Sequence, residues 1–483
     1  MSIYAETLFN AALQAHEAGD LAGAAHLLNF IIGSGWREAE ALYFLGFLKL
    51  RQNDPVGALR LLTSSAAIKP DDARMLSHMG ETLHRLGAHE GAILCFRAAI
   101  ELWPDFVSAH ANIAAALHAL DRPEEALEQL RVAEAMAPDN ANIVCGIASA
   151  LHTQGRYGEA MAEFRRAQAL QPGHLRARYY ESLALLAEGD FLAAWENHET
   201  RLQLTIGGNL PRGFAQPIWS GEQDIAEQTI LLHAEQGLGD AIQFIRYAPL
   251  VAARGAIVLL EVHPRMRSLC AAVPGVAHVF ARDGALPAFD LHCPLLSLPR
   301  AFRTELATIP AEVPYLRAEP TQCEFWRQRL GEKQRRRIGI AWSGSPSHTN
   351  DRARSIPLGL LAPLLSRRDI DFHVLQADVR APDRPILAEL NRVFDHGATL
   401  GDFASTAALI TQLDLVIGVD TALVHLAGAL GVPTWVLLSF THDWRWLRGR
   451  DDSPWYPTAR LFHQPARGDW ASVIDAVIGE LDR

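Results

Sequence analysis

The stretch ARMLSHMGETLHRLGAHEGAILCFRAAIELWP, Ala73 to Pro104, sets the reading of the first two hundred residues. Windows beginning at Ala5, Ala39, Ala73, Val107, Ala141 and Leu175 each start 34 residues after the last. Their twentieth position reads Ala24, Ala58, Ala92, Ala126, Ala160 and Ala194. The fifteenth reads Gly19, Asn53, Gly87, Asp121, Gly155 and Gly189. The eighth is Gly46 and Gly80, then Ala114, Ala148 and Ser182, and the thirty-second is Pro70, Pro104, Pro138 and Pro172. Each choice has a physical cause. Small residues at positions eight and twenty let two helices of one unit approach closely. Gly, Asn or Asp at fifteen supports a left-handed turn between them. Proline at thirty-two stops the second helix, because it has no N–H to continue the ladder.

A 34-residue helix–turn–helix period with these positions resembles the tetratricopeptide repeat, over residues 5–204 in about six copies. The first copy is irregular, with Gly33-Ser34-Gly35-Trp36 in place of the proline, as expected of a cap. The sixth carries Glu181 and His198 at seam positions, which suggests an adaptation to the next domain. The twelfth position holds His16, His84, His118 and His152. On the first helix of a repeat this row either grips an extended acceptor chain or consists of half-buried side chains with local partners. His84, His118 and His152 are therefore the candidate acceptor contacts.

The chain has 483 residues and a net charge of −11, of which −9 falls in residues 1–206. Neither half is built to neutralise a phosphate backbone, so a nucleic-acid partner is not expected. The longest apolar tract, Leu413–Phe440, is broken by Asp414, Asp420, His425 and Pro433, so no membrane span is expected. There is no signal-peptide pattern at the start, and the five cysteines form no CxxC. A disulfide framework and a zinc site are not expected, and a cytoplasmic location fits.

From Thr229 the periodicity changes. Short apolar runs alternate with helical patterns, which predicts a parallel sheet. Strands are expected at 229–234, 256–262 and 289–292, then at 337–344, 372–376, 415–419 and 434–439. A linker is expected at 310–337 and a last helix at 469–481, a candidate to cross back to the first of the two halves. Two Rossmann-like halves, 205–335 and 336–483, are expected to face a cleft.

The longest motif is Gly418-Val-Asp-Thr-Ala-Leu-Val-His-Leu-Ala-Gly-Ala-Leu-Gly-Val-Pro-Thr434. A strand ends at Val419, Asp420 is placed to cap the following helix, and the free N–H groups of its first turn suit a diphosphate. His425 stands one turn in, beside Thr421 and Ala422. This motif resembles the nucleotide-diphosphate-binding segment of glycosyltransferase family 9, the heptosyltransferases. A second motif, Gln236-Gly-Leu-Gly-Asp-Ala-Ile242, resembles the Gly-Asp of the same family's first half, where the Asp is implicated as general base. On the residues alone, Asp240 is either that base or the cap of a helix.

The loop Ser343–Ser355 carries Arg352 and Arg354, either of which is placed to neutralise a leaving diphosphate or to be solvated. The family places a lysine near this point, and this loop has none. Gln376, at a strand end, is a candidate contact to base or ribose. Trp444, in Thr441-His-Asp-Trp-Arg-Trp446, is a candidate sugar contact, and Trp455 and Tyr456 are either substrate contacts or packing between domains. The pair Asp369 and Asp371 reads as a solvated turn, so no metal or other cofactor is expected.

The expected fold is thus an α-helical tetratricopeptide solenoid followed by an α/β GT-B domain. The resemblance implies an inverting glycosyltransferase using a nucleotide-diphosphate sugar. The solenoid suggests a protein acceptor, with a bacterial surface or flagellar polypeptide modified on Ser or Thr as the candidate class. The rivals are a lipopolysaccharide or glycan acceptor, with the repeats recruiting an assembly partner, and a scaffold whose transferase domain has decayed.

Overall fold

The computed structural model describes residues 2–483 apart from 34–35, 205–211, 283, 347 and 349. Ser34 and Gly35 of the irregular first repeat, the domain boundary at 205, and Ser347 and Thr349 of the arginine loop lie outside the described residues. By its contacts the chain divides into two compact units, Met1–His174 and Leu175–Arg483.

The first unit is a run of helix pairs: Ser2–Glu17 with Leu21–Ile31, Glu38–Arg51 with Pro55–Ile68, Ala73–Arg85 with His89–Leu102, Val107–Ala119 with Pro123–Met136, and Ala141–Thr153 with Tyr157–Leu170. The repeat positions behave as their chemistry requires. All six fifteenth-position residues have positive φ, from 59° at Asp121 to 84° at Gly19 and Gly189. All six twentieth-position alanines are 0–1% exposed. A Cβ on Gly80 would stand 2.8 Å from the Phe96 ring, so only glycine permits that approach of the two helices. The helices ending at Ile68, Leu102, Met136 and Leu170 each stop two residues before a repeat proline.

The sixth pair, Leu175–Glu188 and Phe191–His198, belongs by contact to the second unit rather than to the repeats. The reason is its aromatic and charged surface. Leu186, Phe191, Ala194 and Trp195 enter the same core as the α/β region. The Trp195 indole N–H donates to the Thr304 carbonyl at 2.8 Å. Buried Arg201 donates to Glu199, Glu235 and Ser297.

The α/β part contains two parallel sheets. The first is formed by β1 (Thr229–His233), β2 (Ile257–Val262), β3 (Val276–Ala281) and β4 (Leu291–Pro294), in the order β3-β2-β1-β4. The second is formed by β5 (Arg336–Ala341), β6 (Ile370–Val374), β7 (Val393–Asp395), β8 (Leu415–Val419), β9 (Thr434–Leu438) and β10 (Ala459–His463), in the order β10-β9-β8-β5-β6-β7. Numbered from its own first strand, the second sheet has the 3-2-1-4-5-6 order of a doubly wound nucleotide-binding fold. β3, β7 and β10 escape the sequence reading, and their mixed burial explains why: they are edge strands without a continuous apolar run.

Two further expectations change. Residues 310–337 are not a bare linker. They contain the helix Pro320–Leu330, capped by Glu319, whose Trp326 is fully buried and donates to Ser405 at 3.2 Å. The last helix, Trp470–Leu481, does not cross to the first half. Trp470, Val473, Ile474 and Val477 pack into the core on its own sheet, with Ile338, Leu358 and Phe372. Among the described residues no helix is long and apolar enough to cross a membrane, and the cysteines are free.

Two outcomes follow from this packing. Replacing Ala126 by Leu overfills the closest approach of a helix pair. It should lower stability by about 1–3 kcal/mol in urea unfolding of the full chain, whereas Glu128→Leu on the exposed side should change it by less than about 0.5 kcal/mol. The second outcome concerns His373 and His396, which are buried, stacked at 5.3 Å, and joined Nδ1 to Nε2 at 3.0 Å. Burial lowers their pKa values to about 3 and about 4, with His396 and Arg329, respectively, as the next cause. Both stay neutral in the fold, while the unfolded chain takes up protons below about 6.5. Their contribution is therefore complete above pH 6.5 and declines as pH falls towards 4, by about 1.4 kcal/mol per pH unit for each proton. The Tm should drop by several degrees between pH 7 and pH 5, and a Tm flat over that range would contradict this.

Candidate active site

In a doubly wound sheet the strands on either side of the order reversal send their following loops apart, and a crevice opens at their carboxyl ends. In the first sheet that point lies between β1 and β4, and the loop after β1 leads into the helix Leu238–Phe244. In the second it lies between β5 and β8, whose loops carry Ser343–Ser355 and Asp420–Thr421. Asp240, Arg354, Asp420, Thr421, Ala422 and His425 thus come from the two switch points.

The two switch points touch. A Cβ on Gly239 would stand 2.9 Å from Cδ2 of His425 and 3.5 Å from the Ala422 Cα. Glycine at 239 and alanine at 422 are what let the helix Leu238–Phe244 meet the helix Ala422–Ala429. Asp240 lies at this junction. Its Oδ2 accepts the Gly237 N–H at 2.7 Å, so it reaches back from the third helical position to Gly237, which is the N-cap residue, and its Oδ1 accepts from Arg445 Nη2 at 2.5 Å.

His425 is nearly buried and held on three sides. Its Nδ1 is 2.9 Å from the Tyr456 hydroxyl, its Nε2 is 3.6 Å from Asp420 Oδ1, and its ring stacks on Trp446 at 5.2 Å. Burial would push the Asp420 carboxyl up. The nearby His425 ring and the Arg354 guanidinium outweigh burial and hold it below the usual carboxylate range. Asp420 therefore does not cap the helix as expected. Thr421 is the N-cap residue, its side chain makes no capping bond, and its buried Oγ1 has no partner.

Several expected contacts are engaged elsewhere. Gln376 cannot read a base with its amide as it stands. Its Oε1 accepts the N–H groups of Trp342 and Ser343 at 2.6 and 2.9 Å, and its Nε2 donates to Ser343 Oγ at 2.9 Å. It braces the loop after β5. Trp444 is not a cleft residue, because it is buried among Phe191, Trp195, His198 and Trp455. Arg352 is exposed, whereas Arg354 donates to the Asp420 carbonyl at 2.9 Å. Asp369 pairs with Arg367 in an exposed turn, whereas Asp371 lies within β6 rather than in a solvated turn, half-buried and paired with Arg392.

The histidine row differs too. His84 and His152 lie in the last turn of their helices, where the chain reverses. His84 Nδ1 is 3.1 Å from Nδ1 of His89, which opens the next helix. His152 meets Tyr157, which opens its own next helix, at 5.2 Å. These are corner contacts inside a repeat rather than rungs of a continuous ladder. His118 occupies the same last-turn position and is exposed.

Arg445 and Arg246 emerge only in three dimensions, and Tyr456, in the sequence either a substrate contact or packing, gains its partner there. Arg445 joins Asp240 to Asp443. Tyr456 orients His425. Buried Arg246 donates to the carbonyls of Gln243 and Trp455 and to the Tyr315 hydroxyl, and so ties the two halves. The only signal in the sequence was an arginine among aromatic residues, which does not distinguish a site from a surface.

Comparison with known proteins agrees with this anatomy. Residues 387–460 match the model of glycosyltransferase family 9 (heptosyltransferase), and residues 79–141 and 145–196 match that of the tetratricopeptide repeat. The chain therefore joins segments similar to tetratricopeptide repeats to a later segment similar to part of glycosyltransferase family 9. Protein FlbA of Caulobacter vibrioides is 26% identical over 329 residues, which are 62% of this chain. The chain spans about half, 54%, of that relative's length. Among solved structures, a crystal structure of MamA aligns with TM-score 0.33 and 17% identity, covering 36% of this chain and 94% of that one. MamA from Desulfovibrio magneticus RS-1 aligns with TM-score 0.31 and 23% identity, covering 34% and 94%.

The contact at Gly239 can be tested directly. His425 cannot retreat, since Trp446 and Tyr456 pack against it. Gly239→Ala should therefore separate the two helix ends and lower any transferase activity by about tenfold or more. The Tm should fall only modestly, and unchanged turnover would show that the close approach is not needed.

Proposed function

We propose that the protein is an inverting glycosyltransferase that moves a sugar from a nucleotide-diphosphate donor to a hydroxyl of a protein acceptor recruited by the repeats. The observation that carries this reading is the contact of Gly239, next to Asp240, with His425 and Ala422 across the two switch points. A base on one sheet and an anion-binding helix terminus on the other are what a single displacement at an anomeric carbon requires. Asp240 takes the proton of the acceptor hydroxyl, and the oxygen forms a bond to the anomeric carbon. The bond from that carbon to the diphosphate breaks, and the electron pair leaves with the diphosphate. The N–H groups at Thr421 and Ala422 and nearby guanidinium charge receive it, so the reading assigns no step to a metal or other cofactor.

Solenoids of this kind bind extended polypeptides on their concave faces, which favours a protein acceptor modified on Ser or Thr. A bacterial surface or flagellar polypeptide is the candidate class, and the cytoplasm is the compartment in this reading.

Incubating the protein with a panel of nucleotide sugars and lysate of the source cell, followed by intact-mass spectrometry, tests the reading. A sugar mass should appear on a protein with the native chain and fall by about 10²–10⁴-fold with Asp240→Asn. Transfer to a glycan or lipid instead would remove the protein acceptor. Neither transfer nor nucleotide binding would leave a repeat scaffold.

A further inference from the structure

Arg445 comes from the short turn Trp444–Trp446 after β9, and its side chain is 7% exposed. Its Nη2 donates to Asp240 at 2.5 Å and its Nη1 to Asp443 at 2.8 Å. The guanidinium lies 4.6 Å from the Trp444 ring and 5.5 Å from that of Phe244. Its Nε is buried without a partner. Burial disfavours the charge on this group, but the Asp443 and Asp240 carboxylates outweigh it and keep the guanidinium ionised.

The other cations near the cleft are differently placed. Arg352 is exposed, and Arg354 is turned onto the Asp420 carbonyl. Three carboxylates, Asp240, Asp420 and Asp443, surround the region that a diphosphate would enter, and Arg445 feels all three. An anion arriving there adds charge of the same sign. It can be accommodated only if a cation already present turns towards it. A carboxylate held in a charge-assisted hydrogen bond is also a poor proton acceptor until that bond is released.

We propose that Arg445 is a shared cation. It pairs with Asp240 while the donor site is empty, and it transfers to the diphosphate oxygens when the donor binds, with Asp443 as its anchor. This rests on the donor reading above. The exchange has two consequences. The leaving diphosphate gains a cation besides Arg354 of the loop after β5, and Asp240 Oδ1 is released to accept the acceptor's proton. Donor binding therefore precedes productive acceptor binding. No proton or electron moves in the exchange itself; one ion pair replaces another.

The test is a binding cycle by isothermal titration on the full chain. The ligands are ADP, GDP, UDP, CDP and dTDP, each beside its monophosphate. The proteins are the native chain, Asp240→Asn, Arg445→Lys, Arg445→Gln and the double variant Asp240→Asn/Arg445→Gln. Neutralising Asp240 removes the competitor for Arg445. Asp240→Asn should therefore bind the preferred diphosphate about tenfold more tightly than the native chain, with little change for its monophosphate. Arg445→Gln should weaken the diphosphate, Arg445→Lys should restore part of the loss, and the gain should vanish in the double variant. With a merely structural Arg445, the gain from removing a repelling carboxylate would persist in the double variant. No gain, or a gain that persists in the double variant, overturns the proposal while leaving the donor reading standing. If Arg445→Gln does not fold, as judged by circular dichroism, the Asp240→Asn and Arg445→Lys arms decide it. Absence of binding by every nucleotide to the native chain and to Asp240→Asn overturns the donor reading, and this proposal with it.

Discussion

An aromatic cluster holds the second unit together, and the site depends on it. Phe191, Trp195 and His198 of the last helix pair, Phe244 of the first half, and Trp444 and Trp455 of the second pack with ring centroids 5.3–6.3 Å apart. Rings of this size bury large apolar areas and prefer the tilted and edge-on contacts seen here. Backbone bonds reinforce the cluster: Arg448 N–H donates to the Ala187 carbonyl at 3.1 Å, and Trp195 donates to Thr304. Because Trp444 is locked in this cluster, the origin of Arg445 is fixed, and so is the reach of its guanidinium to Asp240.

Three buried guanidinium groups extend the same constraint. Arg201 runs from the end of the last helix pair to Glu235, which follows β1 by two residues and precedes Asp240 by five. Arg246 crosses from the first half to the Trp455 carbonyl, and Arg445 crosses back to Asp240. Buried ion pairs contribute little net stability over an apolar replacement, but removing one partner leaves a costly unpaired charge. Such groups therefore penalise any arrangement of the second unit in which their partners separate. The last helix pair keeps the repeat pattern in its sequence, with a repeat match reaching residue 196, and packs as a structural part of the α/β unit.

The helix end that carries Asp240 and the one that carries Thr421 and His425 reach each other because two small residues, Gly239 and Ala422, allow them into contact. The doubly wound topology supplies the place, and side-chain size supplies the distance. Gln376 shows the same division of labour. Its strand-end position suggested a ligand contact, yet its amide satisfies two backbone N–H groups at the start of a loop that would otherwise be left unpaired.

The repeat architecture was legible from the chain because its rules are local. A left-handed corner, a small residue at a helix crossing and a proline stop are each decided within about ten residues, and the 34-residue period multiplies the signal. The central strands and the Asp420–His425 motif were legible for the same reason: a buried strand must be apolar, and a helix after it must start somewhere. The edge strands, the helix 320–330 and the packing of the last helix were not, since partly exposed elements carry no continuous pattern. Nor could the chain reveal that Arg445, 205 residues after Asp240, would be its partner, that Trp444 would be core, or that the sixth helix pair would leave the solenoid. Those outcomes depend on which surfaces meet. A guanidinium or an indole reads alike in sequence whether it faces water or a carboxylate, and only the tertiary structure supplies the neighbour that gives it a role.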